Sequence, residues 1–192
     1  GTNKLQDAAG NIVSNFSNQS VTNNIGGSAQ IVQWENLVNA TDSGGFINYS
    51  APTAGGRGTI PINTANPFEV YAEFTSLSPA TVLFLDKDSA NGYSWGASHE
   101  WEAGCYYFGS DANHAVSNAT YTVFDNAFTP PAWLKLRKSG NNIILSRSTS
   151  ENGTYTDVHT FTDALVSIST LYIHVLFASN SAGHKIQVKF IN

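Results

Sequence analysis

PFEVYAEFTSL, Pro67 to Leu77, alternates without a break. Phe68, Val70, Ala72 and Phe74 fall on one side, and Glu69, Tyr71, Glu73 and Thr75 on the other. A period of two is the signature of a strand with one buried and one wet face. Strands of that kind belong to antiparallel sheets.

Working outward, the last third of the chain reads as a meander. Trp133 to Lys138 turns at Ser139-Gly140-Asn141-Asn142 into Ile143 to Ser148. Glu151-Asn152-Gly153-Thr154 then predicts a hairpin with a primed turn, which Asn-Gly favours, before Tyr155 to Phe161. Thr170 to Ala178 and Lys185 to Ile191 complete it. Toward the N-terminus the expected strands are Gln30 to Trp34, Phe46 to Tyr49 after Asp42-Ser43-Gly44-Gly45, and Thr59 to Ile62. Gly55-Gly56-Arg57-Gly58 reads as a turn. Val82 to Leu85, Gly92 to Gly96, Cys105 to Phe108 and Tyr121 to Phe124 are further apolar runs of strand length. No helical period occurs, and only Asp163 to Ser169 has room for a single helical turn. Short strands punctuated by turns predict an all-β sandwich, jelly roll or barrel. The 192 residues suffice for one core. Residues 1–28 read as a polar lead-in belonging to the same domain, and residues 29–192 as the β-sandwich itself.

Composition narrows the partners. Only 12% of residues are charged, about half the usual share, while hydrophobic content is an ordinary 41%. Asn, Ser, Thr and Gly fill the gap, giving a neutral surface of hydroxyls and amides suited to sugars. A net charge of -5 argues against nucleic acid. The late cations Lys135, Arg137, Lys138, Arg147, Lys185 and Lys189 are expected to balance acids on neighbouring strands. The single cysteine, Cys105, cannot form an intrachain disulfide and reads as a small strand residue. No apolar run approaches membrane-spanning length, so no membrane insertion is expected. A chain with no methionine is expected to be a piece of a longer protein.

The residues with site chemistry concentrate between Ala80 and Gly109. Tyr93, Trp95, Trp101 and Tyr106 stand close in sequence to Asn91, His99, Glu100 and Glu102. Sugars pack C–H faces on flat rings and need paired polar groups for their hydroxyls. Asn91, Tyr93, Trp95, His99, Glu100, Trp101 and Tyr106 are therefore the expected ligand contacts. Trp34 and Trp133 read as packing residues instead. Asp86-Lys87-Asp88-Ser89-Ala90-Asn91-Gly92 is rich in oxygen donors, as a calcium loop is. It departs from the EF-hand spacing, and a hairpin loop whose Asx side chains bond their own backbone is the preferred reading. Ca²⁺ held by Asp86 and Asp88 is the alternative; no other cofactor is expected.

Catalytic signals are weak. The histidines His99, His114, His159, His174 and His184 show no metal-ligand spacing. Of these, His159 and His174 fall in strands and read as satisfied scaffold groups. No G-x-S-x-G elbow or phosphate loop is present. Glu100 and Glu102 on an extended segment would be about 7 Å apart, near the spacing of inverting glycosidases. Adjacent residues rarely flank a scissile bond, so no catalytic residue is expected.

PFEVYAEF, LFLDKDSANGYSWG, WLKLRKSGNNIILSRSTSENGTYTDVHTF and LYIHVLFASNSAGHKIQVKFIN together resemble the jelly-roll modules of the concanavalin A-like lectin/glucanase superfamily, the laminin-G-like group in particular. The resemblance covers roughly residues 67–192. It implies two stacked, curved antiparallel sheets that bind carbohydrate or protein on the concave face or rim loops, often beside calcium. The glucanase motif E-x-D-x-x-E is absent, as is a recognisable legume-type calcium site. The expected function is thus non-catalytic glycan recognition in a larger extracellular, cell-surface or virion protein. An assembly or receptor-binding domain of a phage tail fibre or adhesin, homo-oligomeric through the Glu69-Tyr71-Glu73 face, is one alternative. A glycoside hydrolase is the other.

Overall fold

The computed structural model describes residues 29–49, 54–74, 81–89, 102–107, 113–117, 120–125, 132–177 and 185–192. Among these residues there is no helix. Sixteen strands occur: β1 (Gln30–Ile31), β2 (Trp34–Val38), β3 (Ala40–Ser43), β4 (Phe46–Tyr49), β5 (Ala54–Gly58), β6 (Ile62–Asn63), β7 (Glu69–Phe74) and β8 (Thr81–Asp86), then β9 (Ala103–Tyr107), β10 (Asn113–Ser117), β11 (Thr120–Asp125), β12 (Ala132–Ser139), β13 (Asn142–Ser148), β14 (Thr156–Phe161), β15 (Thr170–Phe177) and β16 (Lys185–Ile191). The first sheet has the order β14-β13-β12-β7-β16-β4-β3, with β1 also on β16. The second has the order β11-β10-β9-β8-β15-β5-β2, with β6 also on β15. All pairings are antiparallel. The fold is an antiparallel jelly-roll sandwich of the concanavalin A-like type.

The core lies between the sheets and follows the alternation read from β7. Val70, Ala72, Leu134, Leu136, Leu145, Val188 and Phe190 of the first sheet meet Leu83, Leu85, Ala103, Leu171, Ile173 and Val175 of the second. Burying side chains of this size is worth about 1.5–3 kcal/mol each. At the Ser139–Asn142 turn, Gly140 has a φ of 61° at the first central position, as a two-residue primed hairpin requires. Leu165, buried, closes one end of the core, its N–H donating to Asn141 O at 2.9 Å.

Four expectations are corrected. Gln30 to Trp34 is not one strand: β1 pairs with β16 and β2 with β5, so the chain changes sheets at Val32 and Gln33. Gly55-Gly56-Arg57-Gly58 is not a turn but most of β5, and of the expected strand Thr59–Ile62 only Ile62 pairs, with Asn63 beyond it, as β6. Those glycines serve close approach. A Cβ on Gly56 would lie 2.7 Å from Ile47 Cδ1, and one on Gly58 2.7 Å from Val32 Cγ1. The Asn152-Gly153 hairpin exists without its primed turn. Residues 149–155 form a wider loop, neither Asn152 nor Gly153 has positive φ, and Gly153 N–H donates to Ser150 O at 3.2 Å. The expected absence of helix holds at residues 162–167 as well, which form turns with Asp163 and Ser167 at φ values of 56° and 64°.

Gly104 on β9 lies hard against its neighbour strand. An added Cβ would meet Phe84 Cβ at 2.8 Å and Leu83 O at 2.9 Å. Gly104→Ala is expected to destabilise the domain by about 1–3 kcal/mol through overpacking, read as a lower urea midpoint at unchanged m value. An unmoved midpoint would mean that β8 and β9 can separate at no cost.

Candidate functional site

Inward Leu83, Leu85, Ile173 and Val175 force Phe84, Asp86, Tyr172, His174 and Leu176 to the outer face of the second sheet. Register lines up Glu35, Arg57, His174, Phe84 and Gly104 across β2, β5, β15, β8 and β9. An outer row should be wet. The middle of this one is covered: Phe84 and His174 are at most 2% exposed, as is Asp86 two residues along β8.

The cover includes the segment leaving β8. Asp88 O sits 3.2 Å from His174 Nε2, and Ser89 O accepts from Arg57 Nη1 at 2.6 Å. A carbonyl can only accept, so Nε2 carries the imidazole proton. The His174 ring stacks on Phe84, with centroids 5.0 Å apart and planes 8° apart. Arg57 is held from the other side by Glu35 Oε1, 3.1 Å from Nε and 2.6 Å from Nη2. Its guanidinium carbon lies 5.3 Å from the Tyr172 ring centroid. The returning end of the segment is tied as well. Glu102 N–H donates to Leu85 O at 3.0 Å, Lys87 N–H donates to Glu102 Oε2 at 2.9 Å, and Lys87 Nζ lies 3.6 Å from Glu102 Oε1. Lys87 and Glu102 are thereby tied to one another, Glu102 to β8, and Asp88 and Ser89 to β15 and β5.

Burial sets the titration of this cluster. It pushes His174 down to about 4, aided by the Arg57 charge and opposed by the Asp88 carbonyl and carboxylate. His174 Nδ1 is buried with no hydrogen-bond partner among the described residues, so the expected satisfied scaffold histidine is satisfied there at Nε2 alone. Burial raises Glu102 above the usual carboxylate range, with Asp86 adding to it and Lys87 opposing.

Of the expected ligand contacts, Asn91, Tyr93, Trp95, His99, Glu100 and Trp101 lie outside the described residues. Tyr106 stands on β9, paired with Val82 and His114, where only the backbone is described. Asp86 is buried, and its Oδ1 accepts from Asp88 N–H at 2.8 Å, an Asx-type bond within the loop. Among the described residues no group of three or more His, Cys, Asp or Glu could hold a metal. Arg57, Glu35 and His174 were missed by sequence reasoning. The one signal that could have found Arg57 was a long charged side chain inside a glycine run.

The outer face of the first sheet is built differently. Lys135 Nζ lies 3.7 Å from Glu69 Oε1, 5.5 Å from the Tyr71 ring centroid and 4.8 Å from that of Tyr155. The two rings meet edge to face at 5.6 Å, and Tyr71 OH donates to Glu69. Lys189 pairs with Glu151 and lies 5.7 Å from the Trp133 ring. Arg137 reaches Asp157 at 2.8 Å, and Ser146 Oγ donates to the same carboxylate at 2.6 Å. Burial and the charges of Glu151 and Glu69 push Tyr155 up to about 12. Lys135, Arg137 and Lys189 thus balance neighbouring acids, as expected. Trp133 is buried as expected, but among these groups and not in the core.

No family model and no curated protein matches the chain. Solved structures do. The SPRY domain of human HERC1 has a TM-score of 0.57 at 8% identity, covering 81% of this chain and 96% of that one. The exoplasmic/lumenal domain of VIP36 bound to Ca²⁺ and Man3GlcNAc has a TM-score of 0.55 at 11% identity, covering 85% and 82%. Lectin UEA-II in complex with galactose has a TM-score of 0.53 at 13% identity, covering 85% and 96%. SPRY domains and legume and L-type lectins are concanavalin A-like jelly rolls, and this chain shares that fold. At these identities the likeness is one of architecture.

The pH dependence of stability follows from His174. Its folded-state pKa lies below the unfolded value, so between about 6.5 and about 4 the unfolded chain binds a proton that the folded chain does not. Stability is full above that window and falls as pH drops through it, by at most about 3 kcal/mol from this group. Glu102 has the opposite sign, since its raised pKa lets the folded chain take a proton first, and offsets part of the loss. Urea midpoints at about pH 7 and about pH 5 should therefore differ less in His174→Gln than in the wild type. An identical difference in both would remove His174 from the account.

Proposed function

We propose that this domain is a non-catalytic, lectin-like module that binds a neutral glycan or cell-surface polysaccharide. We place it within a larger extracellular, cell-surface or virion protein. The supporting observation is the fold, shared with solved lectins, together with a neutral surface rich in hydroxyls and amides. Asn91, Tyr93, Trp95, His99, Glu100, Trp101 and Tyr106 are the proposed contacts, the rings stacking on pyranose faces and the polar groups reading hydroxyls. The fold is one in which VIP36 and UEA-II have been solved with bound saccharides. The net charge of -5 fits a neutral ligand better than an anionic one.

Catalysis is not part of this reading. Glu102 accepts from Lys87 N–H and pairs with Lys87 Nζ, and no second carboxylate among the described residues is placed to share a glycosidic bond with it. An assembly role on the Glu69-Tyr71-Glu73 side gains nothing from the paired charges there, which need no second chain to neutralise them.

A glycan array carrying neutral, sialylated and sulfated structures, probed with the wild type beside Trp95→Ala and Trp101→Ala, tests the reading. The wild type should bind neutral structures, and at least one variant should bind about tenfold or more weakly. Equal binding by all three would dismiss these rings as contacts, and no binding at all would dismiss the function.

We also propose that Asp86 acts as a turn anchor, with no Ca²⁺ held by Asp86 and Asp88. Millimolar Ca²⁺ should then leave the melting temperature where EDTA leaves it, whereas a bound ion would raise it by mass action.

A further inference from the structure

Residues 149–155 join β13 to β14, which are neighbours in the first sheet. A hairpin between neighbouring strands needs roughly two to five residues. The extra length runs back over the outer face of the sheet. Glu151 reaches Lys189 on β16, and Tyr155 meets the Tyr71 ring on β7 edge to face at 5.6 Å. In the order β13-β12-β7-β16, Lys189 stands three strands from where the loop departs, about 14 Å at the spacing of paired strands. Trp133 stands at the root of the loop, paired with Ser148, and Lys189 Nζ lies 5.7 Å from its ring. Inward Leu134 puts this indole on the outer face, yet it is only 8% exposed.

The closed arrangement leaves one group unsatisfied. Tyr155 OH is buried with no hydrogen-bond partner among the described residues. Water would supply one if the loop lifted. The ion pair that holds the loop down is partly wet, with Glu151 41% and Lys189 26% exposed at the side chain, and pairs of that kind are weak. A buried hydroxyl left without a partner costs more than such a pair contributes. The contacts of the Tyr155 ring with Tyr71 and Lys135 tip the balance toward closure.

We propose that the loop 149–155 is a strap that opens and closes over Trp133. Glu151 and Lys189 are its latch, and the Tyr155 hydroxyl keeps the closed state shallow. Opening frees the indole and the Lys189 ammonium to meet a solute, and closing withdraws both. The device stands apart from the glycan-binding reading.

The test follows the indole itself. Protein made with 5-fluorotryptophan carries four fluorine signals, and Trp133→Phe and Trp34→Phe identify the two needed. Relaxation by the soluble nitroxide Tempol reads the access of each ring to solvent. Trp34, buried with its indole N–H on Gly45 O, is the control. Glu151→Gln should raise the relaxation at Trp133 about two- to fivefold and leave Trp34 unchanged. Salt at about 1 M should raise it in the wild type but not in Glu151→Gln, because the latch is an ion pair in partial contact with water. If Glu151→Gln folds poorly, the salt titration of the wild type carries the same comparison. Tyr155→Phe should lower the relaxation at Trp133 about fivefold or more and raise the urea midpoint. No change at Trp133 on loss of the latch, or an equal change at Trp34, overturns the strap. A lower urea midpoint in Tyr155→Phe, as loss of a satisfied hydroxyl would give, overturns the part assigned to that group.

Discussion

The period of two along β8 and β15 is the constraint from which the rest of the structure follows. Leu83 and Leu85, with Ile173 and Val175, must face the first sheet to close the core. Phe84, Asp86, Tyr172 and His174 then have no choice but the opposite side. A slip of one residue would exchange the two sets and bury a histidine and an aspartate between the sheets. The register that secures the hydrophobic core therefore also fixes where the polar row stands, and hence where the segment after β8 can be tied down.

The two outer faces use charge in opposite ways. On the first sheet, Arg137 and Asp157 pair across strands with side chains 29% and 53% exposed. Pairs of that exposure add little to stability, on the order of 0–1 kcal/mol. They make a neutral, solvated surface from strands that would otherwise present rows of like charge. On the second sheet one member of each pair is enclosed: Arg57 and Glu102 are 18% and 8% exposed, and their partners Glu35 and Lys87 are 42% and 50% exposed. Removing Glu35 or Lys87 would leave a largely desolvated charge unmatched, which costs more than losing a surface pair. The second face is thus where a change of side chain is transmitted to backbone position.

Architecture was largely legible because hydrophobic alternation depends on neighbours in sequence. β7, β12, β13, β15 and β16 declare themselves within their own residues, and Gly140 declares its turn. The failures came where a residue type answers to distant partners. Glycines 56 and 58 resemble punctuation, yet they are small because Ile47 of β4 and Val32, between β1 and β2, press on them. Asn152-Gly153 carries the local signal of a tight turn, but there the chain takes a wider path, with Glu151 reaching Lys189 and Tyr155 reaching Tyr71. The aromatic and acidic stretch was visible as a concentration of residue types. Its anchors were not, because Arg57, Glu35 and His174 are brought to it by pairing across the sheet.

That division decides how freely each residue can change. Core residues need only be apolar and of about the right volume to keep the two sheets together. The anchors cannot change so freely: Arg57 must meet Glu35 and Ser89 together, and His174 must fit between Phe84 and the Asp88 carbonyl. The apolar interior holds the two sheets together, and the row from Glu35 to Phe84 holds the segment leaving β8 against the outer face of the second sheet.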